Sequence, residues 1–207
     1  MQFDRIIALR NDRTIFRNGD KCIKVFNPDY PMALALKEAL NCTLAGTAGI
    51  PVPKVFEVTR VDNSPAIVFE YISGKTFELL CAANPESAPR LLKVFIDVQS
   101  KIHHADCPGL SDILPSVQTF STSCLCHCDF DFSNIVLSAS GQPYVLDWEN
   151  AACGDPALDK AITYSLLLES VSPEIAEDYL ASVCHNNGEA IKNLIPLAAA
   201  LRSKKRC

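Results

Sequence analysis

The sequence predicts an α+β protein in which a strand-rich first third is followed by a mostly helical remainder. Short runs rich in β-branched and apolar residues, separated by turn signals, occupy the first 72 residues. A long amphipathic pattern begins at Ala88, and Pro156 and Pro173 stand at the first positions of further helical stretches. The pattern changes from strands to helices near residues 70 to 75, which divides the chain into an N-terminal lobe, residues 1–72, and a C-terminal lobe, residues 73–207.

The N-terminal lobe is predicted to be an antiparallel meander with one helix. The turn signal Asn18-Gly19-Asp20 separates two apolar strand patterns, as in a hairpin. Glycines at 46 and 49 end the helical pattern that starts at Met32. The predicted strands are Arg5–Leu9, Thr14–Arg17, Lys21–Phe26, Pro51–Arg60 and Pro65–Tyr71, and the helix is Met32–Ala45.

The C-terminal lobe is predicted to be helical around one small hairpin. Apolar residues recur at spacings of three and four from Leu91 to Ile102, which indicates a helix over Ala88–His104. The segment from Val117 to Cys126 leads into a polar loop, and the hairpin after this loop pairs Ile135–Leu137 with Tyr144–Leu146. The remaining predicted helices are Pro156–Leu168, Pro173–Cys184 and Gly188–Leu201, the last interrupted or restarted near Pro196.

Composition excludes several classes of function. A net charge of -5 gives no basic footprint for nucleic acid, and no apolar run approaches the roughly 18 to 20 residues that span a bilayer. The chain has ten cysteines, but the segment Met1 to Arg5 shows no signal-peptide pattern, so we expect a cytoplasmic protein with reduced thiols.

Three cysteines alternate along the segment Cys124-Leu125-Cys126-His127-Cys128. On an extended strand these thiols share one face and can in principle bind a soft metal ion. A structural zinc site needs a second pair of ligands, and the other cysteines are scattered singly, so the sequence favours small buried thiols.

Polar residues flank the predicted hairpin at both ends. Asp129 and Asn134 lie five positions apart before it, and Asp147 follows it. The hairpin returns the chain to the same side, so the Asn134 and Asp147 oxygens can share Mg²⁺ while Asp129 orients or deprotonates an attacking hydroxyl. This arrangement indicates phosphoryl transfer.

The motifs His127-x-Asp129-x₄-Asn134, Asp147-Trp148-Glu149 and Gly154-Asp155-Pro156-Ala157-Leu158-Asp159 resemble those of the aminoglycoside phosphotransferase and choline kinase group. The resemblance implies a two-lobed protein-kinase-like fold, with a small antiparallel sheet and one helix in the N-terminal lobe. It also implies a Mg²⁺-dependent enzyme that moves the γ-phosphate of ATP or GTP to a hydroxyl of a small-molecule metabolite or aminoglycoside-like acceptor. The alternative is a nucleotide-binding, pseudokinase-like module that transfers nothing.

The resemblance also implies roles for individual residues. Lys24, paired with Glu38, would contact the α- and β-phosphates, and backbone groups around Glu70, Tyr71 and Ile72 would bind the adenine. Asp129 would be the catalytic residue, with Asn134 and Asp147 as the metal ligands. Asp159 would brace the catalytic loop, and His127 would be structural.

This chain departs from the family pattern in three places. Cys128 stands where the family has glycine, and the phosphate-covering segment Leu9–Ile15 contains no glycine, so Arg10 or Arg13 is a candidate phosphate contact. Only 48 residues follow Asp159, so the acceptor site is expected to be small, open or completed by a second chain. The sequence therefore leaves open a homo-oligomer, the identity of the acceptor and the choice between ATP and GTP.

Overall fold

The N-terminal part of the chain forms a five-stranded antiparallel sheet in the order β1-β2-β3-β5-β4. The computed structural model describes residues 4–10, 12–106, 109–110, 124–184 and 188–205. The strands are β1 (Arg5–Leu9), β2 (Arg13–Asn18), β3 (Lys21–Phe26), β4 (Val55–Val61) and β5 (Ser64–Glu70). The predicted meander is confirmed, including the turn at Gly19, which has a φ of 60°.

Helix α1 (Met32–Thr47) connects the meander to the second half of the sheet and packs against β4 and β5. Its core-facing side is made of small residues, with Ala35, Ala39, Cys42 and Ala45 all buried. Small side chains allow the helix to lie close to the sheet, which places Glu38 opposite the central strand β3.

The C-terminal part consists of helices around two small antiparallel sheets. One sheet has the order β6-β8-β9 and the other pairs β10 with β7. The helices are α2 (Phe77–Ala83), α3 (Ala88–His104), α4 (Pro156–Ser170), α5 (Pro173–Val183) and α6 (Gly188–Lys205), and the strands are β6 (Gly74–Thr76), β7 (Cys124–Cys126), β8 (Ile135–Ser138), β9 (Pro143–Val145) and β10 (Ala152–Gly154). The predicted α+β class is confirmed.

The core of this part is formed by aromatic side chains from the loop between β7 and β8. Phe130 and Phe132 are fully buried against Phe95 of α3, with ring centroids 4.3 and 5.0 Å apart. The Tyr179 ring of α5 lies edge-on to Phe95, with ring centroids 6.0 Å apart. The loop that carries Asp129 and Asn134 is therefore anchored by its own apolar residues.

The structure differs from the predicted elements in a few places. Helix α6 continues through Pro196, because Ile191, Leu194 and Ala198 form one buried face across the proline and the helix packs on α4. Helix α2 was not predicted; Thr76 caps its N-terminus by accepting from Leu79 N at 3.2 Å. Strand β7 was not predicted either, and residues 117–123 of the segment that leads into it lie outside the described part.

Among the described residues, no helix is both long and apolar enough to cross a membrane. Seven described cysteines are free, namely Cys22, Cys42, Cys81, Cys124, Cys126, Cys128 and Cys184. Cys153 is disulfide-bonded, which differs from the expectation that all thiols are reduced.

Candidate active site

Lys24 lies on the middle strand of the sheet, and its ammonium group contacts two carboxylates. Nζ donates to Glu38 Oε1 at 2.6 Å and Oε2 at 2.8 Å, and to Asp147 Oδ1 at 3.0 Å. Lys24 is 5% exposed and Glu38 is 2% exposed, so the pair is removed from water. This cluster joins β3, α1 and the end of the β8–β9 hairpin at one point.

The surroundings shift the pKa of each member of this cluster. Burial raises the pKa of Glu38 to about 7, because the loss of hydration outweighs the attraction of Lys24. Burial acts against the charged form of Asp147 too, but Lys24 and Arg13 lower the pKa of this carboxyl to about 2. Burial likewise opposes the charge on Lys24, yet Asp147 and Glu38 raise its pKa above the ordinary value. Lys24 and Asp147 therefore stay charged, while Glu38 titrates near neutral pH.

Arg13, at the start of β2, is directed at the same acidic cluster. Its Nη1 lies 3.1 Å from Glu149 Oε2 and 3.7 Å from Asp147 Oδ1. Tyr30 donates its hydroxyl to the other oxygen of Glu149 at 2.7 Å. Burial acts to lower the pKa of the Arg13 guanidinium, but the carboxylates around it raise this pKa above its ordinary value. Arg13 thus holds part of the negative charge that surrounds Asp147.

Asp147 has a left-handed backbone, with φ 59° and ψ 66°. This conformation costs a non-glycine residue about 1 to 2 kcal/mol and is typical of functional sites. The next residue fixes it: Trp148 is buried, its Nε1 donates to Val145 O at 3.1 Å, and its carbonyl accepts from Asn41 Nδ2 at 3.0 Å. The surrounding contacts therefore direct the Asp147 carboxylate toward Lys24.

Asn134 ends the loop between β7 and β8. Its side-chain Nδ2 donates to the main-chain carbonyl of Asp129 at 2.9 Å, and its main-chain carbonyl accepts from Leu146 N at 2.8 Å. The amide oxygen is then the ligand atom that this side chain offers. Asn134 and Asp147 are thus linked through adjacent backbone, as the hairpin predicted.

Asp131 is a second carboxylate in this loop, but its contacts are structural. It is 7% exposed and accepts from Phe132 N at 2.7 Å, Ser133 Oγ at 3.2 Å and Ser170 Oγ at 2.9 Å. Asp129, in contrast, is only partly buried. Asp131 therefore ties the loop to α4, and Asp129 is the loop carboxylate nearer to solvent.

His127 and Cys128 are the first residues of the loop between β7 and β8. The buried His127 ring packs edge-on against Trp148 at 4.7 Å, and its Nε2 lies 2.9 Å from Leu146 O. It is a structural residue, as the resemblance implied. Cys128 has a φ of 62°, in the left-handed region that favours glycine, so the loop holds a side chain in a conformation more usual for glycine.

Asp159 holds this loop from behind. Its Oδ1 accepts from Cys128 N at 2.7 Å, and its Oδ2 lies 2.8 Å from His103 Nε2. Burial opposes the charged form, but the hydrogen bond from His103 lowers the pKa of Asp159. The bracing contact implied by the resemblance is present, and Asp155 caps α4 through Ala157 N at 2.7 Å.

One cavity of about 580 Å³ lies between the sheet and the hairpin. Arg10 and Arg13 line it, together with Gly74 and Leu79 from the segment after β5. Of the eight predicted site residues, seven line this cavity, namely Lys24, Glu38, Glu70, Tyr71, Ile72, Asn134 and Asp147. Asp129 is not among the lining residues; it adjoins the cavity through its carbonyl, which accepts from Asn134.

The segment expected to bind adenine is partly occupied by protein contacts. Glu70 N donates to Lys54 O at 2.8 Å, and Tyr71 N donates to Asp20 O at 2.7 Å. These two amide groups are therefore not free to donate to a base. The Tyr71 ring also lies under the Arg17 guanidinium, at 4.2 Å.

Sequence reasoning did not find the polar network behind the loop. Gln99 of α3 is 1% exposed, donates to Thr163 Oγ1 at 2.9 Å, and accepts from Tyr179 Oη at 2.6 Å. His103, one turn further on, reaches Asp159. The available signal was Gln99 itself, a polar residue in register with Leu92, Phe95 and Ile102 on an apolar helix face.

The sheet with one helix, the helical second part and the cavity between them define the class of protein-kinase-like folds. Within this class, residues 109–194 match the model of the phosphotransferase enzyme family. This region contains all three motifs on which the resemblance was based.

Solved structures agree with this match. A choline/ethanolamine kinase family protein from Mesorhizobium loti has a TM-score of 0.61 at 17% identity, with 100% of this chain and 81% of that chain covered. Aminoglycoside phosphotransferase APH(3'')-Id from Streptomyces rimosus has a TM-score of 0.66 at 15% identity, covering 92% and 91%. A thermostable mutant of APH(4)-Ia, in complex with ADP and hygromycin B, has a TM-score of 0.68 at 14% identity, covering 90% and 79%.

At these identities the structural similarity shows the fold. Together with the family match over the motif region, it confirms the resemblance to aminoglycoside phosphotransferases and choline/ethanolamine kinases. The comparisons support a phosphotransferase.

Proposed function

We propose that this protein is a small-molecule kinase that transfers the γ-phosphate of ATP to a hydroxyl of a small acceptor, with Mg²⁺. The observation that carries the proposal is the convergence of Lys24, Glu38, Asn134 and Asp147 on one cavity, with Lys24 Nζ 3.0 Å from Asp147 Oδ1. Lys24 provides the cation, and Asn134 and Asp147, 110 and 123 positions further along the chain, provide the hard oxygen ligands that phosphoryl transfer requires.

The donor set fits Mg²⁺. Asp147 offers a carboxylate and Asn134 an amide oxygen, and both line the cavity. Mg²⁺ is commonly held by one or two carboxylates, with waters and substrate phosphates completing its shell. The carboxylate oxygens of Glu38, Asp147 and Glu149 lie within 4.8 Å of one another, so this corner is strongly negative. A bound ion would supply charge neutralisation of the phosphates there.

The chain's own residues then have distinct tasks. Lys24, oriented by Glu38, contacts the α- and β-phosphates as a fixed positive charge. The adenine is recognised by the carbonyls of Glu70 and Tyr71 and by the Ile72 amide, because the Glu70 and Tyr71 amides are already used. Asp129 accepts the proton of the acceptor hydroxyl or orients it, an effect typically worth about 10² to 10⁴ in rate.

In the proposed complex, arginine side chains contact the phosphates in place of the backbone amides of a glycine-rich segment. A glycine-rich segment lets backbone amides approach a phosphate, whereas Leu9–Ile15 cannot approach as closely. Arg10 and Arg13 both line the cavity, and Arg13 is already oriented toward Asp147. We assign them to the phosphate oxygens, with Arg13 leaving Glu149 as the nucleotide enters.

The pseudokinase alternative depended on the absence of glycine and on the short segment after Asp159. The cavity contains the nucleotide residues and the metal residues together, and two arginines offset the missing amides. These observations favour transfer over binding alone. The acceptor is proposed only as a hydroxylated small molecule reaching Asp129 from the partly exposed side of its loop.

The proposal is tested by combining a binding measurement with a transfer measurement. Thermal unfolding is followed with ATP, Mg²⁺ or both, and the protein is then incubated with γ-labelled ATP and a panel of hydroxylated metabolites and aminoglycosides. We expect stabilisation that needs ATP and Mg²⁺ together, and label transfer to at least one class of acceptor. Stabilisation with no transfer to any acceptor or to water would support the pseudokinase, and no stabilisation would contradict both functions.

A further inference from the structure

A second group of metal-binding side chains lies behind the catalytic loop, where β7 meets α3 and α4. We call Cys124, Cys126, His103 and Asp159 the β7 cluster. The Cys124 and Cys126 sulfurs lie 3.7 Å apart, and His103 Nε2 lies 2.8 Å from Asp159 Oδ2. Ligand atoms of His103, Cys126 and Asp159 all lie within 4.8 Å of one another. The second ligand pair that the sequence could not identify is therefore present.

The cluster is separate from the nucleotide site. None of its four residues lines the cavity that contains Lys24 and Asp147. It is also closed: Cys126 and Asp159 are fully buried, Cys124 is 8% exposed and the His103 side chain is 6% exposed. Buried groups of this kind are more typical of a structural metal site than of a solvated face.

We propose that the β7 cluster binds Zn²⁺ with two thiolates, one imidazole and one carboxylate. Tetrahedral zinc bonds of about 2.3 Å to sulfur and about 2.0 Å to nitrogen and oxygen place two sulfurs close to 3.8 Å apart. The 3.7 Å separation of Cys124 and Cys126 meets this requirement. The strand produces it directly, because residues two apart on β7 point to the same face.

The existing contacts of the cluster allow the exchange of protons for the ion. The Cys124 thiol donates to Gly154 O at 3.4 Å, and the Cys126 thiol to Cys124 O at 3.7 Å, which are weak bonds. Zinc binding releases these two thiol protons to solvent. The His103 proton resides on Nδ1 in the bound form, which frees Nε2 for the metal.

Asp159 can act as a ligand without losing its role in the loop. Its Oδ1 accepts from Cys128 N at 2.7 Å, and its Oδ2 is the oxygen near His103. Coordination through Oδ2 replaces the contact with His103 and keeps the contact with Cys128. The Cys128 amide then becomes the outer hydrogen bond that orients a metal ligand. A zinc ion here would fix β7, α3 and α4 together directly behind Asp129.

The test uses the purified full chain and needs no substrate. Protein prepared under reducing conditions is analysed for zinc by mass spectrometry after gel filtration, and the metal-free protein is then titrated with Co²⁺. We expect about one zinc ion per chain, and a cobalt spectrum with thiolate charge-transfer bands and the strong visible bands of a tetrahedral site. Cobalt at Asp147 would lack the thiolate bands, so the two sites are distinguished.

Variants locate the ion. Cys126→Ser is compared with Cys81→Ser, which removes a buried free thiol from α2, far from the cluster in sequence. We expect zinc retention and the thiolate bands to fall at least about tenfold in Cys126→Ser and to be unchanged in Cys81→Ser.

Three results would overturn the proposal: wild-type protein that gives no thiolate–cobalt bands, identical spectra in wild type and Cys126→Ser, or a disulfide between Cys124 and Cys126 in reduced preparations. The first and third results are measured on wild-type protein, so the proposal can be refuted even if Cys126→Ser fails to fold. If the protein binds zinc but has no kinase activity, the zinc site is supported and the proposed function is not. If the protein is an active kinase without zinc, the zinc site is refuted and the proposed function is not.

Discussion

Replacing Lys24 by methionine removes the ammonium group that contacts both Glu38 oxygens. Methionine keeps most of the buried volume, so the main change is electrostatic. Glu38 is left 2% exposed, and its carboxylate lies within 4.8 Å of those of Asp147 and Glu149. Breaking a buried pair in this way destabilises a protein by about 3 to 5 kcal/mol.

The structure also gives the pH dependence of this loss. The folded-state pKa of Glu38 is about 7, above its ordinary value of 4.5, so its contribution to stability is lost as pH rises between these values. Without Lys24 the pKa of Glu38 rises further, and above pH 7 the variant must keep a proton that the wild type has released. The difference in unfolding free energy then grows by about 1.4 kcal/mol per pH unit, or about 2 kcal/mol from pH 7 to 8.5.

The assay is urea unfolding of wild type and Lys24→Met at pH 6, 7 and 8.5, under reducing conditions. Lys21→Met is the matched control, because Lys21 lies on the same strand but is exposed. We expect the control to stay within about 0.5 kcal/mol of wild type at each pH. Lys24→Met should show a gap that is smallest at pH 6 and widens above pH 7.

A gap that is the same at pH 6 and pH 8.5 would refute this reasoning, since it would show that packing, and not the unpaired carboxylate, determines the loss. Lys24→Met/Glu38→Gln provides a second check. Without the carboxylate, the widening above pH 7 should disappear.

Two further changes test the packing around the site. Tyr179→Phe should destabilise the protein by about 1 to 3 kcal/mol in urea unfolding, because the buried Gln99 carbonyl loses its donor at 2.6 Å; the partly exposed Tyr144→Phe is its control, and equal losses would contradict the prediction. Gly74→Ala should destabilise by about 3 kcal/mol or more, because a Cβ there would lie 2.1 Å from the Leu137 carbonyl oxygen. Wild-type stability of Gly74→Ala in the same assay would show that β6 and β8 can separate without cost.

The parts of the fold that local sequence determines were predicted well. The bounds of β1, β3 and α3 agree with the predicted ranges, because turn residues, alternation and helical periodicity are local signals. The continuous α6 was not predicted, since its passage through Pro196 depends on packing against α4. Local propensity cannot report a contact made by another helix.

The same distinction holds for the candidate site. The hairpin and the motifs brought Asn134 and Asp147 to one cavity with Lys24, and the pairing of Lys24 with Glu38 was implied by the resemblance. The orientation of Arg13 toward Glu149, 136 residues away, and the convergence of His103 with Cys126 could not be read from the sequence. Both depend on how distant elements pack.

Titration calorimetry of ATP with and without Mg²⁺, on wild type and Asp147→Asn, measures whether Asp147 holds the metal for phosphoryl transfer. We expect Mg²⁺ to strengthen ATP binding to wild type and to have little effect on ATP binding to Asp147→Asn, while Asp129→Asn keeps the wild-type response. The same Mg²⁺ dependence in wild type and Asp147→Asn would show that Asp147 does not hold the metal.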